Sequence, residues 1–400
     1  MRRAPYRVLV STGEVSGDLQ GALLLEALTE QAKKRNIRLD IVALGGERMA
    51  AAGATLLGNT SSIGSVGLVE SLPFVLPTLN VQRQAKHYLR NHPPDIVVLI
   101  DYLGPNLGIG SFIQSQFPTV PQLYYIAPQE WVWSFGQQNT RRLVTIVDHL
   151  LAIFPEEARY YQSHGAQVTW VGHPLIDRMA SVPVHNHARN QLGLSNEETM
   201  IALLPASRRQ EIRHLMPILF KAARLIQDQL PSAQFWIPLS LDAYRPAIEH
   251  AIEEYGLRAT VVTHDVRVVL SAADLAIAKS GTVNLEAAIL DTPQVVAYRV
   301  HPLTAWIARN ILKFSIPFMS PPNLVNMEAI VPEFLQDEAT PESISNAALE
   351  LLLNTEKQQA MRDGYQRMRN ALGTPGVCDR AANAILNALL NKPLETEQSN

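Results

Sequence analysis

The chain has 400 residues, more than one core comfortably organises, so two domains of roughly 150–200 residues each are expected. Hydrophobic residues make up 47% and charged residues 18%, the balance of a packed globular protein, and a net charge of -3 leaves no electrostatic footprint for nucleic acid. The single cysteine, Cys378, excludes an intrachain disulfide and a cysteine-built zinc site.

In chain order, short apolar runs alternate with helical patterns. Tyr6–Val10, Ile41–Leu44, Asp95–Ile100, Gln122–Ile126, Leu150–Phe154 and Val168–Val171 read as strands, with helices over Gly17–Lys34 and Leu76–Arg90 among the connections. Such alternation predicts a parallel sheet covered on both faces. Residues 174–198 turn polar and lose any apolar period, so they are expected as a linker. Alternation resumes with strands at Met200–Leu204, Gln234–Pro238, Ala259–Val262, Asp274–Ala278 and Gln294–Tyr298, and a helix over about 209–229. From about Thr340 the chain is helical, and 392–400 is expected as a disordered tail. The predicted architecture is α/β, two halves at 1–173 and 199–391 with a cleft between the carboxyl ends of their sheets. Met1–Val10 lacks the apolar length of a secretory signal, and no run of about 18 apolar residues appears, so a cytoplasmic location is expected.

The richest stretch is Lys279-Ser280-Gly281-Thr282-Val283-Asn284-Leu285-Glu286, which follows a strand and opens a helix. A helix start with small hydroxylated residues attracts phosphate. Glu286, about one turn beyond Thr282, stands where a carboxylate meets the two hydroxyls of a ribose. These features point to a nucleotide diphosphate with its sugar; taken alone, the segment also reads as a capped helix. Ser11 to Asp18, after the first strand, forms a loop suited to close ligand approach, although Ser16 and Asp18 equally fit helix caps. It matches neither a Walker A loop nor a dinucleotide fingerprint.

Asp101 ends the apolar run Ile96–Ile100. Partial burial there would raise its pKa and make it a better proton acceptor, the alternative being a turn-forming Asp ahead of Gly104-Pro105. Leu204-Pro205-Ala206-Ser207-Arg208-Arg209 follows the first strand of the second half, where an arginine's planar fork suits a diphosphate, although Arg209, ahead of a helix start, also reads as a solvated surface charge. His173 is either a ligand contact or a hinge histidine satisfied by backbone. His185 and His187 lack a nearby third ligand, so no metal is expected. Leu303–Ser320 sets Trp306, Ile307, Ile311 and Phe314 at helical spacing, with Arg309 and Lys313 displaced from them. That pattern fits a helix at a membrane surface, or a buried core or dimer helix. Val66–Leu79 is apolar and fits an acyl-chain lining or plain packing.

Together these segments resemble the lipid-A-disaccharide synthase family, in the same order from about Val8 to Gln336. The residues that carry the resemblance begin with Gly13-Glu14-Val15-Ser16-Gly17-Asp18, Gly67-Leu68-Val69-Glu70, and Pro94-Asp95 leading to Ile100-Asp101. Tyr125-Ile126-Ala127-Pro128 with Trp131-Val132-Trp133, Val171-Gly172-His173-Pro174-Leu175, and Leu204 to Arg208 follow. Ser280-Gly281-Thr282 with Leu285-Glu286, Asn323-Leu324, and Pro332 to Gln336 complete the set. The resemblance implies an α/β fold of two facing Rossmann-like domains with an interdomain cleft, a GT-B type glycosyltransferase that joins UDP-2,3-diacylglucosamine to 2,3-diacylglucosamine 1-phosphate through a β-1,6 bond, with inversion and release of UDP. It implies no cofactor and no metal. In that family's terms Asp101 is the base and Arg208 steadies the diphosphate. Ser207, Ser280, Gly281, Thr282, Glu286 and Asn323 surround the UDP-sugar, and Gly13, Glu14, Ser16, Gly17 and Asn106 lie on the acceptor side. The resemblance further implies transient contact with the cytoplasmic face of the inner membrane, leaves a homo-oligomer open, and names no nucleic acid.

The chain departs from the family pattern at Ala206, where glycine is usual, and at Gly104, where aspartate is common. Ser134–Asn139 looks like a short insertion ahead of Arg141 and Arg142. Two alternatives differ in class: another UDP-amino-sugar enzyme, transferase or epimerase, and a non-catalytic paralogue that binds UDP or lipid. Retention of Asp101, Arg208 and Glu286 together argues against the paralogue, because binding alone has little use for a base.

Overall fold

The computed structural model describes residues 4–13, 15–60, 75–132, 137–195, 198–207, 209–299 and 318–390. Contacts divide the chain into two units, Met1–Asp177 with Gly373–Asn400, and Arg178–Leu372.

The first unit opens with β1 (Tyr6–Ser11), α1 (Val15–Lys34), β2 (Leu39–Gly45), α2 (Glu47–Ala51) and β3 (Thr55–Asn59). It continues through α3 (Val75–Asn91), β4 (Ile96–Ile100), α4 (Leu103–Gln116), β5 (Gln122–Tyr125), α5 (Gln138–Ile146), β6 (His149–Ala152), α6 (Pro155–Ser163) and β7 (Val168–Trp170), and α7 (Leu175–Met179) carries the chain past Asp177 into the second unit. The strands form one parallel sheet in the order β3-β2-β1-β4-β5-β6-β7. β4 is buried along its whole length, and as a central parallel strand covered on both faces it shows an unbroken apolar run rather than alternation. The order reverses between β1 and β4, and in open sheets of this kind the crevice at such a reversal is where ligands bind.

The second unit holds α8 (His185–Leu192), β8 (Met200–Leu204), α9 (Arg209–His214), α10 (Met216–Gln229), β9 (Gln234–Pro238), α11 (Arg245–Tyr255), β10 (Ala259–Val262) and α12 (Val266–Ala272). β11 (Leu275–Lys279), α13 (Thr282–Ile289), β12 (Gln294–Tyr298), α14 (Pro321–Asn326), β13 (Glu333–Leu335), α15 (Pro341–Leu353) and α16 (Thr355–Leu372) complete it. Its parallel sheet runs β10-β9-β8-β11-β12-β13, so its reversal lies between β8 and β11.

The last helix, α17 (Val377–Leu389), packs on α1 in the first unit. Arg35 donates to Asn383 and Asn387 at 2.7 and 2.8 Å, and Gln31 donates to Asp379 at 2.7 Å. Asp177 seats the start of α17 by accepting the N–H groups of Gly376 and Cys378 at 2.6 and 2.9 Å.

Three expectations change. The second unit does not keep the whole C-terminal segment, because α17 buries its apolar face against α1. Residues 174–198 contain α7 and α8 instead of a free linker. What reads as polarity there includes Arg189, 1% exposed, whose guanidinium reaches Ala272 O, Ser195 O, Glu198 O and the Asp274 carboxylate. Finally, the helix expected over 209–229 breaks at Leu215, with Pro217 in the first turn of α10, where a missing N–H costs nothing. β3 and β13, both edge strands with no fully buried residue, carry too little apolar signal to be read from sequence.

Candidate active site

Four of the sequence motifs fall on the strand ends that flank the two reversals. In the first unit these are the ends of β1, leading into Thr12 and Gly13, and of β4, leading into Asp101.

Asp101 (φ 49°) and Tyr102 (φ 39°) are consecutive left-handed residues. For a bulky tyrosine that is an outlier, and such strain persists only where the surroundings hold it. Here they do. The Asp101 N–H donates toward the carbonyls of Ile126 (3.1 Å) and Tyr125 (3.3 Å). Its carbonyl accepts from Asn106 Nδ2 at 2.8 Å and from the Tyr124 hydroxyl. With the backbone fixed at both ends, the carboxylate stands at the edge of the sheet, partly buried. Burial raises its pKa above the ordinary carboxylate value, against one hydrogen bond from the Tyr102 backbone.

Asn106 is fully buried, accepts from Ser11 Oγ at 2.8 Å and also donates to Ile100 O at 3.0 Å. Its amide ties the end of β1 to the end of β4, so it positions Asp101 and has little left for a ligand. Gly13 and Gly17 also have local tasks. A Cβ on Gly13 would sit 1.7 Å from the Tyr102 ring, and one on Gly17 1.9 Å from Thr12 Oγ1. Ser16 is exposed in the first turn of α1. Asp18 caps a different helix from its own, accepting the N–H groups of Gly46, Arg48 and Met49 at the start of α2. A small pocket of about 10 Å³ lies beside these strand ends, lined by Ser11, Thr12, Thr60, Tyr102 and Gln82 among others.

One group at the same edge, Glu157, escaped the sequence reading. Glu157, 1% exposed, accepts the N–H groups of Ala127 (2.8 Å), Ile153 (2.8 Å) and Phe154 (3.2 Å), joining the loops after β5 and β6. Burial pushes its pKa up to about 8 in spite of those bonds. His173 accepts the Leu175 N–H at 3.2 Å and packs against Phe154, so it is a backbone-satisfied hinge histidine. Burial pushes it down to about 3, which keeps it neutral.

Glu157→Gln is expected to destabilise the fold by ~1–3 kcal/mol, because the new NH2 meets a backbone donor and leaves an amide unpaired. Between pH about 4.5 and about 8 the unfolded chain has released the Glu157 proton and the folded chain has not. The folded state then binds more protons, and this residue's contribution to stability falls as pH rises, by at most ~1.4 kcal/mol per pH unit. Urea midpoints at about pH 5 and about pH 8 check this: the deficit of the variant should shrink at the higher pH. A deficit that is constant or grows with pH would contradict it.

In the second unit the ends are those of β8, leading to Ser207, and of β11, leading to Ser280. Ser207 is exposed, and its N–H donates to Glu211 at 2.6 Å. Ser280 Oγ donates to Met319 O at 2.7 Å, and the Gly281 N–H donates to Asn284 Oδ1 at 2.7 Å. Thr282 begins α13 on the exposed side. Glu286, 5% exposed, pairs with Arg178 at 2.7 Å, a partner the sequence did not announce. Asn323 is fully buried and turned to the backbone, accepting from Ile330 and Val331 and donating to Val331 O. Its place in the structure is that of a loop anchor.

Among the described residues no three His, Cys, Asp or Glu side chains gather as metal ligands, and His185 donates to Ser271 O at 2.8 Å. Arg141 lies exposed on α5, bonded to Gln137. Glu14, Gly67–Glu70, Trp133, Arg208 and the stretch 300–317 with Trp306 lie outside the described residues. No described helix is long and apolar enough to cross a membrane.

The fold is similar to that of S. aureus MnaA in its co-structure with UDP, at a TM-score of 0.67 and 15% identity over 99% of this chain and 100% of that one. It is also similar to CalG4, the calicheamicin glycosyltransferase, at a TM-score of 0.59 and 15% identity over 99% and 100% of the two chains. Two Rossmann-like parallel sheets of this order define the GT-B architecture of glycosyltransferases and sugar-nucleotide epimerases. A family model described as Lipid-A-disaccharide synthetase matches residues 8–388, and the chain belongs to that family of glycosyltransferase enzymes. The Lipid-A-disaccharide synthase of Gloeothece citriformis (strain PCC 7424) is 56% identical over 381 residues, 95% of this chain and 99% of the relative. That of Synechocystis sp. (strain ATCC 27184 / PCC 6803 / Kazusa) is 52% identical over 382 residues, 95% and 97% of the two chains.

Proposed function

We propose that the chain condenses UDP-2,3-diacylglucosamine with 2,3-diacylglucosamine 1-phosphate, giving the β-1,6-linked disaccharide 1-phosphate and UDP. The acceptor hydroxyl oxygen attacks the anomeric carbon, the bond from that carbon to UDP breaks, and Asp101 takes the hydroxyl proton. Attack opposite the departing UDP inverts the centre in one step, so no sugar is bonded to the enzyme. One observation carries this reading: a partly buried carboxylate at the reversal of the first sheet, its backbone locked in a left-handed conformation and its pKa raised. In the second unit, Ser280, Gly281, Thr282 and Glu286 take the UDP portion with Ser207 nearby, and Arg208 meets the diphosphate. On the acceptor side, Gly13, Gly17 and Asn106 shape the loop, and Glu14 and Ser16 are the residues of that loop assigned to the acceptor. Asn323 serves the UDP site through the loop it anchors.

Substrates that carry acyl chains call for transient contact with the cytoplasmic face of the inner membrane, and the amphipathic sequence around Trp306 is the segment suited to it. Purified protein incubated with the two lipid substrates is expected to release UDP and form a disaccharide 1-phosphate, both read by mass. UDP release without disaccharide, or epimerised donor as the product, would overturn the proposal.

A further inference from the structure

Arg178 stands where the chain passes from the first unit to the second, in a segment that reads as linker. Its neighbour Asp177 is fixed by the two N–H bonds at the start of α17. Its own carbonyl accepts from Arg267 at 3.5 Å, and Arg267 is in turn paired with Asp265. These bonds fix the Asp177 side chain and the Arg178 carbonyl, and the Arg178 guanidinium extends beyond them. That guanidinium meets Oε1 of Glu286, while Oε2 makes no hydrogen bond among the described residues.

We propose that Arg178 is a positioning residue of the nucleotide site: by gripping Oε1 it fixes the Glu286 side chain so that Oε2 is presented to the ribose hydroxyls. This rests on the reading of Glu286 as the ribose ligand and adds what holds it. A second consequence follows from charge. Burial raises the pKa of Glu286, and the charges of Arg178 and then Arg267 oppose the rise, while Asp265 adds to it. Lys279 lies beside Gly281 at the start of the same helix, and Arg369 is occupied at its far end by Ala288 O and Asp291. Without Arg178, the carboxylate keeps Arg267 alone against its burial and takes up a proton at higher pH.

The test is UDP affinity, measured by calorimetry with the full chain, for Arg178→Met, Arg178→Lys, Glu286→Gln and the double variant. Arg178→Met is expected to weaken UDP binding about tenfold, the worth of one charge-assisted contact. It should raise the donor KM while kcat at saturating donor changes little, and move the acid limb of UDP binding to higher pH. Arg178→Lys keeps the charge and should recover most of the affinity, which separates loss of positioning from loss of fold. In the Glu286→Gln background, removing Arg178 should weaken UDP no further. Unchanged UDP affinity in Arg178→Met, or equal weakening with and without Glu286, would overturn the inference. If Glu286→Gln itself bound UDP normally, the reading beneath it would fail instead.

Discussion

Replacing Asp101 with Asn is expected to lower kcat by about 10³-fold, within the ~10²–10⁴ that a positioned base supplies, while leaving UDP affinity unchanged. Asparagine is the substitution that isolates the chemistry. Asp and Asn are the non-glycine residues that best tolerate a left-handed backbone, so the φ of 49° survives, whereas alanine would add strain of its own. The bonds that lock the segment involve the backbone N–H and carbonyl of residue 101, not its side chain, and they also survive. What disappears is the proton acceptor. In the parent enzyme, activity should rise with pH as the Asp101 carboxyl ionises, at a pH above the ordinary carboxylate range because burial raises its pKa. Residual activity of the variant should lack that limb. Parallel loss of UDP binding and turnover would show that residue 101 serves the nucleotide or the fold instead, and full activity would remove it from the mechanism.

Those features were legible from sequence because each sat at the end of an apolar run. An unbroken apolar segment followed by Asp101, or by Lys279-Ser280-Gly281, marks a buried parallel strand and the loop at its carboxyl end in one glance. Sequence shows a residue's type at such a place but not its partner. Asn106 and Asn323 look like ligand-binding amides, yet Asn106 faces two backbone carbonyls and the Ser11 hydroxyl, and Asn323 faces a backbone carbonyl and two N–H groups. Long-range partners left no local trace: Arg178 and Glu286 are 108 positions apart, and Gln31 and Asp379 are 348 apart. The return of α17 to the first unit was hidden for the same reason, since an amphipathic helix does not name the surface it covers. Glu157 was missed because a glutamate in a first helical turn is ordinary, and only its burial and its three N–H donors set it apart.

Asn106→Ala is the second large effect, and it tests the claim that this amide acts through Asp101. The variant leaves the Ser11 hydroxyl and the Ile100 carbonyl without their partner and removes one of two donors from the Asp101 carbonyl. Buried polar groups stripped of partners cost ~1–3 kcal/mol each when no water replaces the bond, so a stability loss of about 2–4 kcal/mol is expected from urea unfolding. The left-handed pair at Asp101 and Tyr102 is then held by fewer bonds, and strain of ~1–3 kcal/mol per residue favours its relaxation. The carboxylate moves with the backbone, and kcat should fall by about 10- to 100-fold with the donor KM little changed, because the nucleotide is assigned to other residues, Ser280 to Glu286. Asn106→Asp separates the amide's two halves. It keeps the acceptor for Ser11 but sets an oxygen against two carbonyls, so at neutral pH it should be no better than alanine in either stability or kcat. An Asn106→Ala enzyme with normal kcat would show that the tie between β1 and β4 does not hold the base in place. A rise in the KM for the acceptor at unchanged kcat would return Asn106 to the role of a substrate contact.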